Sequence, residues 1–172
     1  MTGFAECLDR LPEPLRREVA LRWEAFETAT RIAGMNLPGG AALAQLVTVW
    51  AGSEFVARAC IREPALLADL LASGDLATRY APGDYAPRLE RALAEATDED
   101  QLGVALRRFR RREMVRVAWR DLTGLAGLEE TLGDLTDLAE HLVGAALEPL
   151  HGWQSRRFGE PRDAEGSPQR LV

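Results

Sequence analysis

Residues 102–122 read LGVALRRFRRREMVRVAWRDL, and this stretch decides the fold. Leu102, Ala105, Leu106 and Phe109 recur at helical spacing and define an apolar face. Continuing that face at the same spacing lands on Glu113, Arg116 and Arg120. Meanwhile Met114, Val115, Ala118, Trp119 and Leu122 supply apolar surface on the opposite side. A helix that is apolar nearly all round is a buried one, so some of the seven arginines in the stretch must be buried with it. An isolated buried charge is prohibitively costly, and buried charges are therefore paired. Glu113 reaches Arg116 at i+3 or Arg110 at i−3. Arg110, Glu113, Arg116 and Arg120 are accordingly the structural or interface candidates, with Glu113, Arg116 and Arg120 expected as a paired cluster at least partly inside.

Working outward, Asp98 is placed to cap this helix, with Glu99 and Asp100 in its positive first turn, and Gly124 and Gly127 end it. A last helix follows over Leu128–Phe158. Its stripe comprises Leu128, Leu132, Leu135, Ala139, Leu142, Val143, Ala146, Leu150 and Trp153, at roughly 100° per residue. That stripe reads as a packing face, with Leu135, Leu142 and Trp153 among its buried members. Pro149 should kink or divide the helix. The connection is short, so residues 98–123 and 128–158 are expected to pack as an antiparallel hairpin.

Toward the N-terminus, Leu11-Pro-Glu-Pro-Leu15 opens a helix with proline tolerated in the first turn. Its apolar positions Leu15, Val19, Trp23 and Phe26 run to about Ile32. Gly34, Asn36 and Leu37-Pro-Gly-Gly40 make a loop, and residues 41–51 read as a short, largely buried helix. Ser53 is a good N-cap for Glu54–Arg62, and Pro64 opens a further helix to Leu71. Gly74 and Tyr80-Ala-Pro-Gly-Asp84 mark a second loop, and residues 86–96 give one more helix. The tail over 159–169, rich in Gly, Pro and charge, reads as a linker, and Arg170-Leu-Val172 hints at the start of a strand. No alternation of period two and no internal repeat occurs, so the class is all-α: a helical bundle with two long antiparallel helices and several shorter ones.

Composition bounds the function. A chain of 172 residues can bury a real core. At 47% hydrophobic and 28% charged it is an ordinary globular sequence. All 21 cations are arginine, which we read as codon bias, although each is a planar fork suited to carboxylates or phosphates. The net charge of −6 argues against a nucleic-acid binder, whose domain is normally basic. Acids crowd residues 95–100 and 129–140, on both sides of the arginine run. The excess arginines therefore have three readings: solvated or paired with Glu129, Glu130, Asp134, Asp137 and Glu140; turned toward a neighbouring domain; or in contact with phosphate. Cys7 and Cys60 make no disulfide framework or zinc knuckle and read as reduced thiols. The N-terminus lacks a signal-peptide pattern, and the apolar window 41–52 is too short to span a bilayer. These points make the cytoplasm the default location.

No catalytic constellation is present. His141 and His151 lie ten positions apart and point in different directions on a helix. Asp134-x-x-Asp137 and Glu129-Glu130 lack partner ligands at suitable spacing and read as solvated helix face. No Gly-rich phosphate loop precedes a basic or hydroxyl anchor. The catalytic, cofactor and metal sets are therefore each empty.

An ordered set of segments carries a resemblance over nearly the whole chain. These are Leu11-Pro-Glu-Pro-Leu15, then Ser53-Glu-Phe-Val-Ala57 leading to Pro64-Ala-Leu-Leu-Ala-Asp-Leu70. Next come Leu106-Arg-Arg-Phe-Arg-Arg-Arg112 through Val115-Arg-Val-Ala-Trp119, and finally Leu138-Ala-Glu-His-Leu142 and Phe158-Gly-Glu-Pro161. In this order they resemble the N-terminal helical segment of the bifunctional glutamine synthetase adenylyltransferase/adenylyl-removing enzymes. The resemblance implies a helical domain over 1–158 and a linker over 159–172. The linker would lead into a nucleotidyltransferase core whose Gly-Lys-Leu-Gly-Gly loop and Ser-Asp-Ile-Asp-Leu strand lie beyond Val172. No catalytic residue of the family falls on any position here. For the full-length bacterial enzyme the resemblance implies ATP/ADP and magnesium as cofactors. The implied reaction is addition of AMP to a tyrosine of glutamine synthetase and its removal by phosphorolysis, under control by glutamine. Implied partners are the chain's own downstream core, glutamine synthetase and the PII signalling protein. The alternative is a stand-alone helical module that binds protein or RNA through the arginine helix.

Overall fold

The computed structural model describes residues 3–169. The described residues form eight helices and no strand: α1 Phe4–Leu8, α2 Glu13–Ile32, α3 Gly40–Gly52, α4 Glu54–Arg62, α5 Pro64–Ser73, α6 Tyr85–Leu93, α7 Glu99–Leu122 and α8 Leu128–Phe158. The class is all-α. The expected strand start at 170–172 lies outside the described residues. Two compact units divide the chain, one built from residues up to 79 with 111–134, the other from 80–110 with residues from 135 on. Helices α7 and α8 each contribute to both.

The first unit is organised around aromatic rings. On α2 the buried residues are Val19, Trp23, Phe26 and Thr30, a stripe of helical period that presents one face inward. Phe26 meets Trp50 of α3 edge-on at 5.3 Å between ring centroids, and Trp23 stacks on Phe4 of α1 at 4.5 Å. Helix α1 has no counterpart among the sequence expectations. Its five residues are too few to show a period, and it is held in place by packing through Cys7 and Phe4. Helix α3 buries Leu43, Leu46, Val47, Val49 and Trp50. Ser53 separates α3 from α4, and its Oγ accepts the Val56 N–H at 3.3 Å, which satisfies one of the open donors at a helix start. Helix α5 starts on Pro64 and ends at Gly74, whose φ of +73° is the left-handed closure that favours glycine. Val115 and Trp119 of α7 complete this core, and Trp119 Nε1 donates to Gln45 Oε1 at 3.3 Å.

In the second unit the buried residues are Tyr80, Tyr85, Leu89, Leu102, Phe109 and Leu138. The two tyrosine rings meet edge-on at 5.3 Å, and the Arg88 guanidinium lies 4.1 Å from the Tyr80 ring centre. Asp98 caps α7 as expected, its Oδ1 accepting the Gln101 N–H at 2.8 Å, while Gln101 Oε1 reaches back to the Thr97 N–H at 3.0 Å.

Two expectations need correction. The α8 stripe is rotated. Leu128, Leu132 and Val143 are 72%, 54% and 58% exposed, Ala139 is exposed, and Leu135, Leu142 and Trp153 are only half-buried. The buried positions are Asp134 and Leu138, one residue or about 100° round the helix from the row drawn through the leucines. Apolar periodicity misassigned the face because the inward positions near the start of α8 are acids. Secondly, α8 runs through Pro149 without being divided. The tail holds a local turn: Arg162 and Pro168 form an isolated bridge, and the Asp163 N–H donates to Ser167 O at 3.0 Å around Gly166.

Candidate functional site

The face of α7 that begins with Leu102 and Phe109 does continue inward. Glu113 and Arg116 are completely buried, and Arg120 is 2% exposed. Within the first unit they fall in two ionic clusters, Glu113 with Arg116 in one and Arg120 with Glu130 in the other. Glu113 accepts from Arg112 Nη1 at 2.5 Å and from Arg116 Nε at 3.0 Å. Arg116 Nη2 donates to Asp134 of α8 at 2.9 Å, and its Nη1 donates to Thr78 O at 3.3 Å. Arg120 Nη2 donates to Glu130 at 2.6 Å and its Nη1 to Leu76 O at 3.1 Å. Arg112 donates through Nε to Asp69 and through Nη2 to Asp75, each at 2.6 Å. Three guanidinium groups thus bind five carboxylates, and Arg79 approaches Glu130 at 3.5 Å as a further cation.

The i+3 spacing explains the Glu113–Arg116 pair, and the acids of α8 supply Glu130 and Asp134 as the sequence suggested. Arg110 does not take part. It is exposed and makes no ion pair among the described residues. The second partner of Glu113 is Arg112, the residue before it. Sequence reasoning missed Asp69 and Asp75 altogether. They lie more than 35 positions from Arg112, and no helical spacing links them to it. An acid just after a left-handed glycine, as in Ser73-Gly-Asp75, was the only local signal available. Arg111 pairs with Glu63 at 3.5 Å, while Arg107 and Arg108 are exposed.

Chemically, the arrangement is a brace. Burial works against the Arg112 charge, but its hydrogen bonds to Asp75 and Asp69 and the charge of Glu113 outweigh it and hold the guanidinium above its ordinary pKa. The brace ties α5, the segment after it, α7 and the start of α8 together through charge-assisted hydrogen bonds. Arg116 and Arg120 also satisfy the carbonyls of Thr78 and Leu76, which belong to no helix. Elsewhere in the unit the Cys60 thiol is buried among apolar side chains, and burial pushes its pKa up to about 12. A thiol in that setting is not a nucleophile at neutral pH. Among the described residues no group of three or more His, Cys, Asp or Glu side chains is arranged to hold a metal ion.

Fold and site together define a helical module braced by buried ions. Its sequence matches the family model for glutamate-ammonia ligase adenylyltransferase over residues 43–172, and the chain belongs to that family. The bifunctional glutamine synthetase adenylyltransferase/adenylyl-removing enzyme of Thioalkalivibrio sulfidiphilus is 50% identical over 165 residues, covering 96% of this chain and 17% of the relative. The enzymes of the same name from Nitrosococcus oceani and Pseudomonas aeruginosa are 48% and 44% identical, over 76% and 72% of the chain. The chain spans 14% and 13% of those two proteins.

Proposed function

We propose that this chain serves as the N-terminal helical part of an enzyme that adenylylates a tyrosine of glutamine synthetase and removes the AMP by phosphorolysis. The observation that carries the reading is the match to a relative of that name over 96% of the chain, although the chain spans only 17% of that relative's length. In this reading the helical module is scaffold. Its buried acids are committed to guanidinium groups, and the chemistry belongs to a nucleotidyltransferase core using ATP/ADP and magnesium. Glutamine synthetase, the PII protein and that core are the partners, and the cytoplasm is the place of action. No helix among the described residues is long and apolar enough to cross a membrane. The alternative of a module recognising RNA or protein through its arginine helix has less support, since Arg112, Arg116 and Arg120 are spent on internal acids.

The test is complementation. The Thioalkalivibrio sulfidiphilus relative, deleted for the matched segment, is assayed for ADP release from adenylylated glutamine synthetase with phosphate and magnesium. Activity should fall on deletion and return when this chain is added in trans. The chain alone should release no ADP. Release by the chain alone, or full activity of the deleted enzyme, overturns the reading.

A further inference from the structure

Within the second unit, α6 and α8 enclose an open groove of about 770 Å³. Its lining is unusual for a solvated surface. Ala86 on α6 and Ala94 just past its end face Gly144 and Ala145 on α8, with Leu89 and Leu93 as apolar floor. Small side chains on both walls leave room for a third backbone to come close, because the distance between packed helices is set by the residues at their contact. Glu90 stands on one wall and Glu140 on the other. Both are exposed, and neither makes an ion pair among the described residues. His141, the remaining polar group of the lining, is turned to its own helix, where its Nδ1–H donates to Asp137 O at 2.7 Å.

We propose that this groove docks an amphipathic, basic helix from a partner protein. Both walls are helices whose main-chain groups are satisfied internally, so an extended peptide would find no strand edge to extend. A helix needs only an apolar strip and small-residue clearance, which the floor and walls offer. The two unpaired carboxylates, one on each side of the strip, select lysine or arginine flanking the apolar positions of the occupant. The inference does not depend on the adenylyltransferase reading, since it rests on residues 86–94 and 140–145 alone.

Gly144 makes the proposal testable without damage to the fold. A Cβ built there meets no atom within 4 Å, and its backbone is ordinary helix with no positive φ. Gly144→Phe therefore fills the groove while favouring α8, and Gly144→Ala is the mild control. The full chain, labelled with nitrogen-15, is titrated with an amphipathic leucine–lysine helical peptide and with a leucine–glutamate peptide of the same pattern. Chemical-shift changes should map to α6 and the middle of α8 for the basic peptide only. Affinity should drop at least about tenfold in Gly144→Phe, where the central contact is blocked, and stay near wild type in Gly144→Ala. Glu90→Gln with Glu140→Gln should weaken binding and flatten its salt dependence. Circular dichroism of each variant confirms that the helices persist. Equal binding by Gly144→Phe, or shifts scattered over every acidic surface, overturns the proposal. So does self-association of the chain that Gly144→Phe abolishes, because the occupant would then be a second copy.

Discussion

The two units bury opposite chemistries along one helix. In the second unit the inward row of α7 is Leu102 and Phe109; in the first, the same row continues as Glu113, Arg116 and Arg120. The spacing never changes, only the chemistry does. Helical period therefore decides which positions are inside, and the neighbours decide what can be tolerated there. The first unit tolerates full charges because acids from α5, the segment after it and α8 converge on them. In the second unit the acids Glu90 and Glu140 stay outside and the buried side chains are apolar or tyrosine.

That contrast can be broken most severely at Glu113. Glu113→Ala leaves Arg112 and Arg116 facing each other without their shared carboxylate, and should cost roughly 3–5 kcal/mol. Urea unfolding of the full chain measures it. A loss below about 1 kcal/mol would mean the network is solvated in solution, as surface pairs are. Glu113→Gln keeps one acceptor oxygen where the carboxylate offers two, and should cost less than the alanine variant.

The apolar counterpart is Leu138, buried in the second unit. Leu138→Ala should cost about 2–4 kcal/mol through lost burial and the cavity left behind. The two variants also differ in mechanism. Glu113→Ala removes a charge and the contacts of two guanidinium groups, whereas Leu138→Ala removes only apolar packing.

Cys60 gives a smaller, chemical distinction within the first unit. With its thiol pushed up to about 12, the folded state binds this proton more tightly than the unfolded chain, whose thiol titrates near its ordinary value of 9.0. The stability linked to the group is thus fully present below about pH 9 and declines as pH rises toward 12. At neutral pH, Cys60 should resist a thiol reagent until the unit unfolds. Rapid labelling of the native chain would show that the site opens locally.

How much of this was legible depends on what each signal encodes. The helices α2 to α8 announced themselves through Pro12 and Pro14, Ser53, Pro64, Gly74, Asp98 and Gly124, all residues that act locally on the backbone. Glu113 and Arg116 were legible too, because they continue an apolar row at fixed spacing. Asp69 and Asp75 were not, since their pairing with Arg112 exists only after α5 and α7 have been brought together. The face of α8 was misread for a related reason. Hydrophobicity does not mark the inside there, because Glu130 and Asp134 occupy it with arginine partners.

The misread face yields the smallest and most discriminating effect. Leu128 in the first unit and Val143 in the second both belong to the leucine-rich row that the sequence marked for burial, and both are mostly exposed. Truncating either to alanine removes apolar surface that already meets solvent, and alanine is the better helix former in each case. Leu128→Ala and Val143→Ala should each leave stability within about 0.5 kcal/mol of wild type. Charge is absent from both substitutions, so any change reports packing alone. A loss above about 2 kcal/mol at either site, the range for a buried aliphatic side chain, would restore the leucine row as the packing face in that unit. At Leu128 it would further require α8 to turn Glu130 and Asp134 away from Arg120 and Arg116, which the cost of Glu113→Ala would register independently.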